Sequence, residues 1–523
     1  MRIYLNLFMD FLKKLARNLF YGIFVLGFVW ISAQLFLERQ TNNLLTSVFD
    51  YFESDQGLEN QLKVLRVVYP DVPQSLEPTF NDPVIRQRIN NIYEPLLRTD
   101  RDLTMRPSLA LSWGLTDERT WDIKLRPNVV FHDGSTFDAQ DVVASINRAK
   151  KFKGSQLANV LASVDKVVIV DDLNIKIKTF EPDSLLLQRL SSVLIIPSEY
   201  ETEVNLLPVG TGSYSFVSWD EKRTIKLEKF NDYWGPAAKF LEVDMLAEPN
   251  KNKRVGMFLK GDADFLAFVP FDAVSVVEDK GFKIVGMPSL EVQFLLFNMD
   301  SKSLNDVGNR KIVSWAIDQG TLAESLGEYA HPVSQFVSNG VFGFNPDIPS
   351  HKYDIDKAMS LVEESGLKGK TLTFHIPKGL SALGEHVRTQ LSKIGVNVVV
   401  SYLDPEDFFA SLNEKKADIY FLGFRAELGD SGDFLDALVH TGAEFNVANY
   451  SNQNVDALIE RSLKEMDNAV RIVDLQEAMR VLIVDDVLGV PLFEYETLFS
   501  FSDKLDFKPR VDGFVYFDEL ILK

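Results

Sequence analysis

Cysteine is missing from the sequence of 523 residues. Its absence excludes disulfide bonds, thiolate nucleophiles, cysteine-ligated zinc sites and iron–sulfur clusters. It also excludes a lipid-modified cysteine, through which many bacterial surface proteins are attached to a membrane. If this chain is attached to a membrane, another segment must therefore provide the attachment.

Histidine is scarce, and the six histidines are scattered without a pair at the spacing of metal ligands. They are His132, His331, His351, His375, His386 and His440. The sequence also contains neither an HExxH motif nor a Gly-x-Ser-x-Gly nucleophile elbow. We therefore expect no metal site, no cofactor and no catalytic residue, and we predict that the protein is not an enzyme.

Basic residues are fewer than acidic residues. The chain has 55 lysines and arginines against 75 aspartates and glutamates, which gives a formal net charge of −20. Nucleic-acid binding is excluded because contacts with phosphate groups require clustered basic side chains. We interpret the excess of negative charge as a contribution to solubility.

Long apolar runs are also rare, and the mean hydropathy of −0.04 excludes a polytopic membrane protein. One such run is present at residues 19–37, which are 19 residues without a charge. At about 1.5 Å per residue, a helix of this length approaches the roughly 30 Å thickness of the bilayer hydrocarbon. Four basic residues precede the run, namely Arg2, Lys13, Lys14 and Arg17. The positive-inside rule then predicts a cytoplasmic N-terminus.

This orientation predicts a single-pass protein of the cell membrane. Residues 1–18 would be cytoplasmic, and residues 38–523 would be extracytoplasmic. Residues 19–37 would contact the lipid bilayer, and residues 38–61 would form a short amphipathic stalk. A cleaved signal peptide is the alternative, because Ile31-Ser32-Ala33 resembles a cleavage site. The length of the apolar run favours an uncleaved anchor.

After residue 61, β-branched runs alternate with segments of helical spacing. The pattern predicts a strand at 62–70, two strands within 121–137, a helix at 139–150, a hairpin at 164–180 and one helix at 307–327. It then predicts three helix–strand pairs, at 354–377, 383–403 and 406–424. Such alternation is typical of the α/β class, with an open sheet and crossover helices.

Four stretches of this region carry motifs in a fixed order. They are residues 91–149, with Tyr-Glu-Pro-Leu and Phe-His-Asp-Gly, residues 207–219 with 231–235, residues 294–318, and residues 449–463 with 490–505. Together they resemble the family 5 extracellular solute-binding proteins, the oligopeptide- and dipeptide-binding group of ABC importers. The family usually has a proline where Ser213 stands here. The resemblance extends over about residues 62–523.

The resemblance implies a two-lobed periplasmic-binding-protein-like fold of type II, from the large cluster with an extra subdomain. Lobe I would combine residues 62–85, 191–285 and 493–523, with the extra subdomain at 86–190, and lobe II would comprise residues 286–492. Two chain crossings, near 284–290 and 490–494, would form the hinge. The resemblance implies that the lobes close around a ligand by rotation about this hinge.

The resemblance also implies where a peptide would bind. A buried peptide needs partners for its backbone N–H and C=O groups, and pairing with a receptor strand supplies them without reading side chains. The cleft-lining segment of the family is similar to residues 417–424 and the continuation Arg425-Ala426-Glu427. In the family, an acidic side chain there contacts the peptide's α-ammonium group. Alignment on Gly429-Asp430 and Phe434 assigns this role to Glu427, and a solvated loop acid is the alternative interpretation.

The alignment with the family allows other acidic residues to take the place of Glu427. The family more often has aspartate at this position, followed by a proline where Ser431-Gly432 stand here. Asp430 and Asp433 are therefore alternatives for the same role. Phe424 would form a wall for apolar side chains, and Arg425 would bind carboxylates. A core aromatic and a surface arginine are the alternative interpretations of these two residues.

The implied function is capture of peptides and their delivery to the membrane-spanning subunits of an ABC importer. We expect the folded part to be monomeric. One alternative is a receptor of the same fold for a metal chelate, a haem or an oligosaccharide. Another is a sensor or scaffold without a role in transport.

Overall fold

The computed structural model describes residues 63–203, 207–220 and 223–523. The predicted cytoplasmic segment, membrane anchor and stalk, residues 1–61, lie outside the described residues. Within the described ranges, no helix combines the length and the apolar character needed to cross a membrane.

Most strands of the described chain are short. They are β1 (Val64–Tyr69), β2 (Leu97–Thr99), β3 (Met105–Pro107), β4 (Ala110–Asp117), β5 (Thr120–Leu125), β6 (Val164–Asp171), β7 (Asn174–Thr179), β8 (Tyr214–Asp220), β9 (Thr224–Lys229), β10 (Glu242–Ala247), β11 (Phe265–Ala267), β12 (Ile284–Phe297), β13 (Ala330–Pro332), β14 (Thr371–Pro377), β15 (Asn397–Leu403), β16 (Ile419–Arg425), β17 (Gly489–Phe501), β18 (Leu505–Asp506) and β19 (Ile521–Leu522).

The α-helices lie between these strands. They are α1 (Pro83–Ile89), α2 (Ala139–Lys151), α3 (Leu186–Ser191), α4 (Lys251–Lys260), α5 (Val274–Glu278), α6 (Val307–Ala316), α7 (Gln319–Leu326), α8 (Ile355–Leu361), α9 (Ser381–Lys393), α10 (Pro405–Asn413), α11 (Ser431–Phe434), α12 (Gln453–Lys464) and α13 (Asn468–Arg480). The π-helical turns Leu435–Val439 and Val481–Asp485 continue α11 and α13. Two short 3-10 helices lie at Ser198–Tyr200 and Phe271–Ala273.

The main sheet contains eleven strands in the order β15-β14-β16-β12-β17-β11-β1-β10-β9-β8, with β13 paired to β17. β1 runs parallel to β10 and β11, and β14 runs parallel to β15 and β16. The two long strands β12 and β17 lie side by side and antiparallel in the middle of this order. They therefore connect the β1 part of the sheet to the β16 part.

The side chains of β12 alternate between two cores. Leu295 and Phe297 are buried in a core with residues of α6, α7 and α9. Phe294 and Leu296 are buried on the other face, in a core with residues of α12 and α13. Because helices cover both faces at this point, the strand is apolar at consecutive positions instead of every second one. The same two cores hold β16 in place through Phe421 and Tyr420.

A second, antiparallel sheet has the strand order β4-β5-β7-β6. The sequence of β7 alternates, and Ile175 and Ile177 face a core that also contains residues of α2. Helix α2 begins at a capping box in which the side chains of Asp138 and Asp141 accept hydrogen bonds from backbone N–H groups. This sheet lies within the sequence segment expected to form the extra subdomain.

Most of the predicted elements are confirmed. β1, the hairpin of β6 and β7, and α2 lie at the predicted positions. The three helix–strand pairs correspond to α8 and β14, α9 and β15, and α10 and β16. Their boundaries differ by a few residues, because helix ends depend on capping contacts as well as on apolar spacing.

Two local predictions were wrong. The predicted helix at 307–327 is divided into α6 and α7, because Ile317 has an extended backbone and the Asp318 side chain caps α7 by accepting from the N–H of Thr321. In 121–137, only the first predicted strand forms. The second is reduced to one isolated bridge between Val130 and Thr136.

Candidate functional site

A cavity of about 390 Å³ lies where three strands of the main sheet end. Pro70 and Asp71 follow β1, Phe268 follows β11, and Arg425 is the last residue of β16, and all four line the cavity. In open α/β sheets, ligands bind outside the carboxyl ends of the strands. The volume lies in the range of roughly 300–1,000 Å³ that is typical of small-molecule sites.

The cavity has walls from distant parts of the chain. We call the first the α1 wall, which comprises Tyr69, Asn81, Arg86, Gln87, Arg88, Asn90 and Arg98. The second, the β16 wall, comprises Arg425, Glu427 and Leu428. Asp512, Phe514 and Tyr516 from the C-terminal segment also line the cavity.

Helix α1 positions much of the α1 wall. Its start is encoded locally: Asp82 is the N-cap and accepts hydrogen bonds from the N–H groups of Val84 and Ile85, at 2.9 and 3.1 Å. Pro83 follows at the first helical position, where its missing N–H costs nothing. Arg86, Gln87 and Arg88 are among the buried residues of this short helix.

Glu427 lies in the cavity. One carboxylate oxygen accepts a hydrogen bond from Nδ2 of Asn81 at 3.3 Å, and the other lies 3.9 Å from Nε of Arg425. The side chain of Glu427 lines the cavity, and 38% of its surface is accessible. Removal from bulk water raises the pKa of Glu427, and the guanidinium of Arg425 opposes this rise.

Arg425 lies in the cavity beside Glu427. Its Nη2 donates to the backbone carbonyl oxygen of Asp512 at 2.6 Å. The loop after β16 is held by a hydrogen bond from the N–H of Ala426 to the carbonyl oxygen of Leu290, at 3.0 Å. Gly429 has a φ of +66° and closes this turn with an N–H bond to the carbonyl oxygen of Ala426. The turn thus directs Arg425 and Glu427 into the cavity.

Phe424 and Ala426 belong to a core. Phe424 is partly buried there and makes an edge-to-face contact with Phe434, with ring centroids 5.1 Å apart. Ala426 is fully buried in the same core. The structure therefore places these two expected site residues behind the cavity wall and not among its lining residues.

Asp430 lies in the interior of the protein and not in the cavity. Both of its carboxylate oxygens accept from Arg471, at 2.5 and 2.7 Å, and each side chain is 1% exposed. The same carboxylate caps α11 through the N–H of Gly432. Because its acceptor capacity is used by these partners, we treat Asp430 as a structural residue. Burial raises the pKa of Asp433 to about 6, but this residue does not line the cavity either.

The sequence interpretation missed the arginines of the α1 wall. Arg86 and Arg88 are 7% and 2% exposed. Nη1 of Arg86 donates to the carbonyl oxygen of Ser192 at 3.0 Å, and Nη2 of Arg88 donates to that of Asp71 at 2.8 Å. The Arg88 guanidinium also lies 3.6 Å from the centroid of the Tyr69 ring. An Arg-x-Arg spacing on a short helix carries no signal by itself, because its burial depends on tertiary contacts.

The arginines of the α1 wall form no ion pair with a described residue. No carboxylate of a described residue lies within about 4 Å of the guanidinium of Arg86, Arg88 or Arg98. Burial lowers the pKa of Arg88 to about 10 and also lowers the pKa of Arg86. Among the described residues, no cluster of histidine and carboxylate side chains is arranged to hold a metal ion. The cavity therefore presents buried positive charge on one wall and the Glu427 carboxylate on another.

Comparisons with known proteins agree on one family. The family model described as bacterial extracellular solute-binding proteins, family 5 Middle, matches residues 104–446. The glutathione-binding protein GsiB of Pectobacterium atrosepticum is 30% identical over 421 residues, which cover 76% of this chain and 82% of the relative. GsiB of Escherichia coli K12 is 24% identical, over 81% of this chain and 87% of the relative.

Solved structures share the fold. The ABC transporter substrate-binding protein CtaP of Listeria monocytogenes has a TM-score of 0.81 at 23% identity, covering 88% of this chain and 99% of the other. DppA of Helicobacter pylori, solved with the peptide STSA, has a TM-score of 0.73 at 21% identity, covering 89% and 99%. At these identities the likeness concerns the fold alone, which is the two-lobed α/β fold of periplasmic binding proteins. Together with the family match, it shows that this chain belongs to family 5 of the bacterial extracellular solute-binding proteins.

Proposed function

We propose that this chain captures a short peptide or peptide-like solute in the cavity and delivers it to an ABC importer. The observation that carries the proposal is the pairing of opposite charges within one cavity, with Glu427 on the β16 wall and arginines on the α1 wall. A peptide is a zwitterion, and its two ends require opposite partners. The relatives named as glutathione-binding proteins and the neighbour solved with STSA support a ligand of this class.

Glu427 would bind the ammonium group of the solute. It already accepts a hydrogen bond from Asn81 across the cavity, which orients its carboxylate. A carboxylate that meets an ammonium in a recess forms a charge-assisted hydrogen bond, worth about 1.5–3 kcal/mol. Arg425, beside Glu427, favours the charged carboxylate. Its Nε lies 3.9 Å from the second carboxylate oxygen, which is too far for a hydrogen bond, so this oxygen can accept from the solute.

The strands β12 and β17 would form the hinge. Their register shifts between Pro288 and Val292, so the ladder of hydrogen bonds is interrupted there. An interrupted ladder bends with less loss of pairing than a regular one. Lobe I would combine residues 62–85, 191–285 and 493–523, with the extra subdomain at 86–190, and lobe II would comprise residues 286–492. Closure about this hinge would bring the β16 wall onto the solute.

The proposal includes a membrane tether. Residues 19–37 would anchor the chain, with residues 1–18 in the cytoplasm and the folded part, as a monomer, on the other side of the membrane. The uncharged run and the basic residues before it support this arrangement. A tether would keep the receptor close to the importer and so raise the effective concentration for docking.

Native mass spectrometry of the purified full chain tests the proposal. The protein is measured as isolated, and again after denaturation, dialysis and refolding with a peptide pool. We expect co-purified species that differ by amino-acid masses and that return after refolding. Glu427→Gln should weaken their retention, whereas Glu444→Gln, a change at an exposed loop carboxylate, should not. A mass and a melting temperature that no peptide shifts would contradict the proposal.

A further inference from the structure

The other buried arginines of the described chain are satisfied in one of two ways. Arg254 and Arg310, 5% and 6% exposed, form no ion pair and donate to two or more backbone carbonyl oxygens. The remaining three are ion-paired. Arg148, Arg471 and Arg510 are each 2% exposed or less. Each forms an ion pair, with Glu77, Asp430 and Asp512 as the respective partners. A buried charge is otherwise costly, so pairing of this kind is expected.

Arg86 and Arg88 have neither an ion pair nor several backbone acceptors among the described residues. A guanidinium has five N–H groups, yet among the described residues Arg86 donates to one acceptor and Arg88 donates to one, each a backbone carbonyl oxygen. The carboxylates that act on these guanidiniums are Glu427 for Arg86 and Asp71 for Arg88, and neither forms an ion pair with them in the described chain. Both arginines line the cavity, and each uses one hydrogen bond of its guanidinium on a described residue.

Buried polar atoms beside the two arginines also lack partners. Tyr69 Oη and Asn90 Nδ2 make no hydrogen bond with any described residue, and both side chains line the cavity. Tyr69 is 0% exposed and Asn90 is 6% exposed. Both groups can donate. Buried donors that have no partner in a protein are expected to find one in a ligand or in water.

Gln87 adds an acceptor to this group. Its Nε2 donates to the carbonyl oxygen of Gly513 at 2.8 Å, which fixes the side chain, while its Oε1 has no partner among the described residues. The site therefore offers several donors to an anion and one acceptor to a neighbouring N–H group. This composition suits a carboxylate attached to an amide-bearing solute.

We propose that Arg86 and Arg88, with Tyr69 and Asn90, form an anion subsite that selects solutes carrying a carboxylate in addition to the one that ends every peptide. The inference rests on the proposed function and narrows it, because the ligand class becomes short acidic peptides and their analogues. Two guanidiniums supply one positive charge for each carboxylate, and Glu427 remains available for the ammonium group. A neutral peptide would leave one buried guanidinium without an anion.

The experiment measures affinities by isothermal titration calorimetry on the full chain in detergent, freed of co-purified ligand. The probes are alanine di- and tripeptides, the same peptides with glutamate as the last residue, and glutarate as a dicarboxylate without an ammonium group. For the unmodified protein we expect the acidic peptides to bind about ten- to a hundredfold more tightly than the neutral ones. In Arg86→Met and Arg88→Met this ratio should fall to near one.

The ratio of the affinities for acidic and neutral peptides is informative even if the variants are destabilised, because partial unfolding would weaken the binding of both kinds of peptide. Arg254→Met is the matched control: Arg254 is also a buried helical arginine, 5% exposed, but does not line the cavity. It should leave the ratio unchanged.

The outcomes separate the two proposals. Equal affinities of acidic and neutral peptides, or a ratio that persists in both α1 variants, would overturn the anion subsite and leave the peptide receptor intact. Binding of glutarate that depends on Arg86 and Arg88, without binding of any peptide, would support the subsite and refute the peptide receptor. Absence of binding by all probes would refute both.

Discussion

The guanidinium of Arg425 donates to the backbone carbonyl oxygen of Asp512 over 2.6 Å and so joins the end of β16 to the C-terminal segment. Asp512 is in turn paired with Arg510, at 2.6 Å, and is 8% exposed. The acceptor therefore belongs to a fixed part of the fold. Arg425 of the β16 wall thus contacts the C-terminal segment, which also lines the cavity.

This contact predicts a role for Arg425 in holding the cavity closed. Arg425→Met should weaken retention of a bound solute by about ten- to a hundredfold, because the loss of a hydrogen bond from a charged donor costs about 1.5–3 kcal/mol. The release rate of co-purified ligand, followed by native mass spectrometry, measures this effect. Arg106→Met, at an exposed arginine distant in sequence, is the control. Unchanged release from Arg425→Met would argue against a closing contact.

Binding by Glu427 should depend on pH. The ammonium group requires the ionised carboxylate, and burial raises the pKa of Glu427 above the ordinary value for glutamate. Affinity for a peptide should therefore fall on acidification at a higher pH than the protonation of an ordinary glutamate would require. Calorimetry over a range of pH measures the midpoint. In Glu427→Gln the affinity should be lower and should lose this pH dependence, and an identical pH profile in that variant would exclude Glu427 as the titrating group.

Asp430 should affect stability and not ligand binding. Asp430→Leu leaves Arg471 buried without its partner, and breaking such a pair costs about 3–5 kcal/mol. Urea denaturation measures the loss. Replacing both residues, as Asp430→Leu with Arg471→Met, should recover part of the stability because no unpaired charge remains. If Asp430→Leu were as stable as the unmodified protein but bound peptide poorly, Asp430 and not Glu427 would be the candidate contact for the ammonium group.

Glu94 should make the stability depend on pH. Its carboxylate is 6% exposed and accepts from Thr211, Tyr233 and Trp234, at 2.8, 3.0 and 2.7 Å. Burial outweighs these hydrogen bonds and raises the pKa of Glu94 to about 7. Since the folded-state pKa lies above the ordinary value, the stability that Glu94 contributes is complete below about pH 4.5 and is lost as the pH rises through about 7.

The comparison of urea midpoints at about pH 5 and pH 8 checks this expectation. The unmodified protein should lose more stability over this interval than Glu94→Gln, in which the side chain cannot ionise. Contributions of all other groups are common to both proteins and cancel in the difference. Equal losses in the two proteins would show that Glu94 is already ionised at the lower pH.

The sequence was sufficient wherever the determinants are local. The apolar run predicted β1 and the helical spacing of apolar residues predicted α2 correctly, because these patterns are formed by neighbours in the chain. The division between α6 and α7 was not predicted, although Asp318 was visible, because an aspartate is compatible both with a helix surface and with a cap. Nothing but the packing of the surrounding elements decides between them.

The sequence by itself determined the family, the α/β class and the segment after β16 in which an acidic ligand contact was expected. Only the tertiary structure decided which acid reaches the cavity. Asp430 and Glu427 are three positions apart, but Asp430 pairs with Arg471 and Glu427 meets Asn81 from the opposite end of the chain. The two arginines of α1 carry no signal in the sequence and are buried in the fold. In each case the partner is remote along the chain, and the chemical environment of an ionisable group is set by its neighbours in space.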